Sequence, residues 1–227
     1  MTERASRRAV TTQPKLTSLR PEQFRSKPWK NGGGVTLDIA DCVRPGADPG
    51  SWDGMIWRLG RTAIVAPGPF SDLSGYERLQ AVIVGSGLVL HGPDGEIELR
   101  QPFRPVRYDG DLPLVSQLEN GPVEVVNLIA DRALCAIDLA APPAGETMAL
   151  TSAIHILYAP VGAVRGRCGD TAFVVEAGHA LRIDPETPLA LTLDGGQALL
   201  ATIRLRESIG PKSGMRSSVK ADARSTC

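Results

Sequence analysis

The sequence predicts an all-β protein built as two similar barrels, and three observations carry that expectation. From residue 35 to residue 205, short β-favouring runs alternate with Gly, Pro and Asp punctuation, the pattern of sandwiches and barrels. Helical signals are weak throughout. The third observation is an internal repeat. "LPLVSQLENGPVEVVNLI" from Leu112 matches "TPLALTLDGGQALLATIR" from Thr187, with Pro113 on Pro188, an offset of 75 residues. The same offset sets Glu119 on Asp194, Gly121 on Gly196, Asp109 on Asp184, Gly87 on Gly162 and Val82 on Leu157. A duplicated barrel closes its own strand edges and packs on its copy.

The first series of strands is expected at 35–40, 55–65, 79–84, 87–91, 96–100, 105–108, 113–118, 123–129 and 134–139. The second falls at 153–158, 162–167, 172–176, 180–183, 188–193 and 197–205. Upstream, "LTSLRPEQFR" suits one short helical turn after Pro21. Four segments follow. Residues 1–13 read as a disordered leader, 14–140 as an N-terminal barrel with the expected ligand pocket, 141–206 as a C-terminal barrel and 207–227 as a polar, disordered tail. The second half is the greasier and reads as scaffold. The first scatters Arg58, Arg78, Gln80 and Asn127 among apolar residues, as a ligand pocket requires.

Composition excludes several functions. The apolar fraction of 42% is enough for a substantial core. Formal charges sum to zero, yet residues 31–205 carry 12 basic and 21 acidic residues, a net of −9. An acidic body disfavours nucleic acid. Aromatic residues make up only 4%, too few for base-stacking platforms. No apolar run approaches the ~18 residues of a membrane span. The four cysteines form no CxxC pair and no apolar signal segment precedes them, so a reduced, cytoplasmic protein without a disulfide framework is expected.

Metal and nucleophile chemistry find little support. The histidines are His91, His155 and His179, in separate segments and without an HxH pair, so no metal and no cofactor is expected. There is no GxSxG elbow. Glu96 and Glu98 alternate with Ile97 and Leu99, the pattern of a solvated strand face.

The stretch "KPWKNGGGVTLDIA" (27–40) is more informative. GxxxxGK[ST] is absent, and the residues after Gly34 alternate with period two instead of opening a helix. Val35, Leu37 and Ile39 are expected on one face, with Thr36, Asp38 and Ala40 on the other. The glycines then let main chain pass close to a cavity that Lys30, Asn31 and Thr36 help to line. "MIWRLG" sets Arg58 inside an apolar strand, and "YERLQAVIVG" sets Arg78 at the start of another. An inward-facing arginine must find an anion or acceptors, and its planar fork matches a carboxylate. The alternatives are an internal salt bridge to Glu77, Asp38 or a neighbour, or an outward orientation.

"PWKNGGGVTLDIA", "WRLGRTAIVAPGPFSDLSGYER" and "GPVEVVNLI" resemble, in order and spacing, the motifs of the HutD/Ves family. The resemblance is specific from Pro28 to Ile129 and fainter to Arg204. It implies a bicupin, two double-stranded β-helix (jelly-roll-like) barrels in one chain, tied to bacterial histidine utilisation as a modulator of that pathway. It implies a small carboxylate ligand such as urocanate or formylglutamate. Matching family positions are Trp29, Lys30, Asn31, Gly32, Gly33, Thr36, Arg58, Phe70, Ser71, Tyr76, Glu77, Arg78 and Asn127. The expected binding residues are Trp29, Lys30, Asn31, Gly33, Thr36, Arg58, Phe70, Arg78 and Asn127, with no catalytic residue. Three positions depart from the family pattern, Leu37, Glu124 and Val125, where polar or charged residues and an Arg–Asp pair are usual. A metal-independent isomerase or hydrolase, with Glu77 or His91 as base, is the second expectation, and a scaffold or interaction module the third. A homodimer is consistent with such folds; neither nucleic acid nor membrane is expected as a partner.

Overall fold

The computed structural model describes residues 14–28 and 34–206. The expected leader and tail lie outside the described residues, as do Trp29, Lys30, Asn31, Gly32 and Gly33.

The described chain is almost entirely strand. A short lead-in forms β1 (Lys15–Leu19), a 3-10 turn at Pro21–Gln23, β2 (Arg25–Pro28) and β3 (Gly34–Val43). The turn falls where Pro21 supplies a preset φ and needs no donor. Then come β4 (Met55–Ile64), β5 (Gly68–Pro69), β6 (Tyr76–Val84), β7 (Leu88–Gly92), β8 (Gly95–Leu99), β9 (Val106–Asp109), β10 (Val115–Leu118) and β11 (Val123–Asp131). The remainder is β12 (Cys135–Ala140), β13 (Thr147–Leu150), β14 (Ile154–Tyr158), β15 (Val164–Cys168), β16 (Thr171–Val175), β17 (Ala180–Asp184), β18 (Leu189–Gly195) and β19 (Leu199–Leu205). Each expected strand has a counterpart. Four were not foreseen: β1, β2, β5 and β13, which are too short or too polar to show a clear period.

Pairing gives four antiparallel sheets. A six-stranded sheet runs β2-β3-β4-β11-β6-β9, faced by β5-β10-β7-β8. A five-stranded sheet runs β1-β17-β14-β19-β12, faced by β13-β18-β15-β16. The order β4-β11-β6-β9 recurs as β12-β19-β14-β17, and β5-β10-β7-β8 as β13-β18-β15-β16. The two sets of eight strands therefore share one pairing order, and the 75-residue offset relates seven of the eight; β5 at that offset falls at 143–144, short of β13. Two strands cross the boundary read from sequence at 140/141. β1 pairs along β17 with Leu16 opposite Ile183, and β12 pairs along β19 with Ile137 opposite Ile203.

Period-two alternation divides the apolar residues among three cores. One face of β4, β6 and β11 contributes Trp57, Leu59, Leu79, Ala81, Val126 and Leu128 to a shared core. Ile156, Tyr158, Leu199 and Ile203 enter it from the five-stranded sheet. A second core, around Leu157, Val164, Leu191 and Leu193, lies between the five-stranded sheet and its partner. A third, around Ile64, Val82, Leu88, Leu90 and Val125, fills part of the space between the six-stranded sheet and its partner. The rest of that space is a cavity. Among the described residues no helix is long and apolar enough to cross a membrane. Cys135 and Cys168 carry free, buried thiols, whereas Cys42 is disulfide-bonded, contrary to the expected set of reduced cysteines.

Candidate functional site

Strand register assembles the site. Directly paired residues of an antiparallel sheet share a face, so side-chain rows run across β3, β4, β11, β6 and β9. One row is Asp41, Arg58, Ile129, Arg78, Tyr108. The next is Asp38, Gly60, Asn127, Gln80, Val106, and the third Thr36, Thr62, Val125, Val82. The first two rows carry the polar groups; the third merges into the apolar core. The cavity above them measures about 760 Å³ and is lined by Thr36, Arg58, Thr62, Arg78, Gln80 and Asn127, with Phe70, Ile129 and Trp52 among its apolar walls. Gly60, in the middle of the second row, also lines the cavity, and a Cβ there would stand 3.3 Å from both Thr36 Cγ2 and the Leu37 carbonyl oxygen.

Thr36, Arg58, Phe70, Arg78 and Asn127 thus come together on one cavity, although four strands and a loop supply them. Trp29, Lys30, Asn31 and Gly33 lie outside the described residues. Lys27, Trp52, Thr62 and Gln80 also line the cavity but were not among the expected binding residues. Gln80 was legible as the i+2 partner of Arg78, and Thr62 shares the face of Arg58 by the same rule. Trp52 stands on a loop, where no periodicity points to it.

The expected face of β3 needs a correction. Asp38 pairs with Gly60 and Ala40 with Leu59, so a bulge at Ile39 shifts the register. Beyond it Asp41, opposite Arg58, continues the Thr36–Asp38 face in place of Ala40. A bulge inserts one unpaired residue and reverses the alternation after it.

The two arginines meet different fates. Arg58 is only 5% exposed. Its Nε lies 3.6 Å from Asp38 Oδ1, its Nη2 donates to the carbonyls of Gly50 (2.9 Å) and Ser51 (3.3 Å), and its guanidinium stacks at 4.1 Å on Trp52. The internal ion pair to Asp38 is therefore real, and Arg58 is largely occupied. Burial pushes the Asp38 carboxyl above its ordinary range, against the pull of the Arg58 and Arg25 charges.

Arg78 is 7% exposed and has no ion pair among the described residues. Its expected alternative partner, Glu77, pairs instead with Arg107 at 2.5 Å. The Arg78 guanidinium sits between the rings of Phe70 (4.9 Å) and Tyr108 (5.2 Å), and its Nε makes no hydrogen bond. Tyr108 donates its hydroxyl to Gln80 Oε1. Burial pushes that phenol up to about 12 although Arg78 opposes the shift, so it is a donor at neutral pH. A buried cation flanked by π-faces and lacking a carboxylate is poised for an anion.

The candidate bases are elsewhere. Glu77 is held by Arg107, and His91 contacts Gln117 and Glu96 on the opposite sheet; neither lines the cavity. Among the described residues no three His, Cys, Asp or Glu side chains are grouped to hold a metal. Two of the three departures also miss the cavity. Leu37 pairs opposite Arg61, and Glu124 binds Arg61, on the face turned to Tyr158 and Pro160 of the second strand set. Val125 faces inward but lies in the apolar core, where an aspartate would be unpaired.

The fold and the cavity define a cupin-like β-barrel protein with a polar, arginine-bearing hollow between two sheets. The HutD family profile matches residues 21–201, and the chain belongs to the HutD family. An uncharacterised 21.2 kDa protein in the hutC 3' region of Pseudomonas putida is 32% identical over 114 residues, which span 50% of this chain and 57% of that protein. Two solved structures share the fold at 24% identity, each match covering 85% of this chain and 100% of the other. They are PA5104, a conserved protein of unknown function from Pseudomonas aeruginosa PAO1 (TM-score 0.71), and HutD from Pseudomonas fluorescens SBW25 in a formate condition (TM-score 0.69). YlbA from E. coli, 10% identical, follows at a TM-score of 0.58.

Proposed function

We propose that this HutD-family chain is a metal-free bicupin that binds a small carboxylate metabolite, of the urocanate or formylglutamate type, in the cavity beneath Arg58 and Arg78. In this reading it acts in the cytoplasm as a modulator of histidine utilisation. The observation that carries the reading is the Arg78 guanidinium, buried between Phe70 and Tyr108 with no carboxylate partner among the described residues. Asn127 and Thr36 line the same space and can add hydrogen bonds, while Phe70 and Ile129 offer apolar contact. The histidine-utilisation part draws on family membership and on the names of relatives.

Two or three charge-assisted contacts contribute about 1.5–3 kcal/mol each. After association costs, affinities of roughly millimolar to micromolar follow. Titration calorimetry with urocanate, formylglutamate, glutamate and histidine tests this. Heat is expected with at least one of the first two. Arg78→Ala is expected to weaken that binding by about 10- to 100-fold with the thermal transition retained. No heat with any of the four compounds overturns the carboxylate reading. The homodimer belongs to the same proposal and is checked by light scattering.

A further inference from the structure

Between β3 and β4 the chain runs as a loop from Arg44 to Gly54, and Trp52 on this loop lines the cavity. Its tip is fastened to the charged rows below. The Gly50 carbonyl accepts hydrogen bonds from Arg58 and from Lys27, and the Ser51 carbonyl accepts a third from Arg58. The Gly50 amide donates to Asp41 Oδ2 at 2.9 Å. Trp52, 46% exposed, lines the cavity and lies flat on the Arg58 guanidinium. Gly50 has φ +76°, and a Cβ there would stand 2.9 Å from Lys27 Nζ and 3.2 Å from Arg25 Nε. At this left-handed φ a glycine is unstrained, and a Cβ would force the neighbouring side-chain ends to shift.

Lys27 and Arg58 are therefore shared groups. They face the cavity and they hold the loop through neutral carbonyls. A carboxylate is a stronger acceptor for a cation than a peptide carbonyl. We infer that the Arg44–Gly54 loop is a ligand-displaced cover. Its Gly50 and Ser51 carbonyls occupy the cation pair in the empty protein, and an entering carboxylate takes those donors, releasing the loop and moving Trp52 off Arg58. The inference rests on the carboxylate reading above and adds to it an element that reports occupancy on the protein surface. Arg78 supplies the fixed end of the site, whereas Lys27 and Arg58 supply the end that exchanges partners.

Hydrogen exchange of the full chain, read by mass spectrometry, tests the cover. With saturating urocanate, or formylglutamate if that gives the larger heat, amides across 44–54 are expected to exchange at least several-fold faster than in the free protein. The second arm is Gly50→Ala, which strains the tip at its left-handed φ and crowds Lys27 and Arg25, loosening its hold on the cations. Its loop is expected to exchange fast without ligand, and it is expected to bind the same carboxylate about 3- to 10-fold more tightly, because the competing carbonyls are gone. A change that merely damaged the site would weaken binding. Calorimetric heat with unchanged or slowed exchange over 44–54 overturns the cover and leaves the carboxylate reading standing. Weaker or unchanged binding by a folded Gly50→Ala overturns it as well. No heat with either compound removes the carboxylate reading and the cover with it. The exchange comparison needs no variant, so misfolding of Gly50→Ala would not obscure the result.

Discussion

At the scale of single residues, the two strand sets differ most where they correspond. The 75-residue offset places His155 on Gln80 and Thr202 on Asn127. In the first set these positions line an open cavity. In the second, His155 Nδ1 accepts from the Thr202 hydroxyl at 2.9 Å, and Nε2 donates to the Thr151 carbonyl at 2.9 Å. The imidazole is thus fully satisfied as a neutral group and buried, and burial lowers its pKa from the ordinary 6.5. The folded chain therefore binds this proton less readily than the unfolded chain does. The contribution is fully present above pH ~6.5 and is lost as pH falls through the lower, folded value, with a slope of at most ~1.4 kcal/mol per pH unit. Urea unfolding between pH 7.5 and 5 should show that decline, and His155→Gln should flatten it. An unchanged slope in a folded His155→Gln would mean that other groups set the acid limit. The sequence shows His155 as a lone histidine in a strand and excludes it from a metal set by spacing. Its partners, Thr151 and Thr202, become apparent only once the register is known.

At the scale of elements, two short features decide more than the long strands. The bulge at Ile39 keeps Asp41 and Arg58 on one face. Strict alternation through Ile39, without a bulge, would turn Asp41 to the opposite side. Arg58 would keep Asp38 but lose the anchor for the Gly50 amide. Strand β1 is the second feature. Leu16 lies opposite Ile183 and packs on the core of the second strand set, although it stands 119 residues before Cys135, where that set's other strands begin. Leu16→Asp is expected to destabilise the protein by about 2–3 kcal/mol through lost apolar burial and an unpaired carboxylate. Chemical denaturation measures it. A loss below ~0.5 kcal/mol would show that β1 contributes little to stability. Neither feature is legible from sequence. β1 reads "KLTSL", too short for a firm period, and a bulge looks like uninterrupted alternation until the partner strand is placed.

At the scale of the whole molecule, the shared core joins the six- and five-stranded sheets through Trp57, Leu59, Val126, Leu128, Ile156, Tyr158 and Ile203, all at or near zero exposure. β1 and β12, which precede residue 141 in the chain, pair inside the five-stranded sheet and so tie the first part of the chain to the second strand set. The two strand sets should therefore unfold together. Scanning calorimetry is expected to give one transition with equal calorimetric and van't Hoff enthalpies. Ile203→Ala is expected to lower the entire transition by about 2–5 kcal/mol. Two resolved transitions, only one of them shifted, would show that the halves are independent. Arg61 spans the same junction, bound to Glu124 and reaching Tyr158 and the Pro160 carbonyl. Glu124 thus has a structural partner where it departs from the family pattern. The sequence left the orientation of Arg58 and Arg78 open, but by itself it determined the all-β class and the family. These follow from alternation, turn punctuation and motif spacing, which are local properties of the chain. Only the tertiary structure decided which arginine is free. Arg58 and Arg78 have the same local pattern, yet Asp38 and the Gly50–Ser51 carbonyls reach one and no carboxylate among the described residues reaches the other. Charge pairing depends on distances between residues far apart in sequence, and the folded arrangement of strands and loop sets those distances.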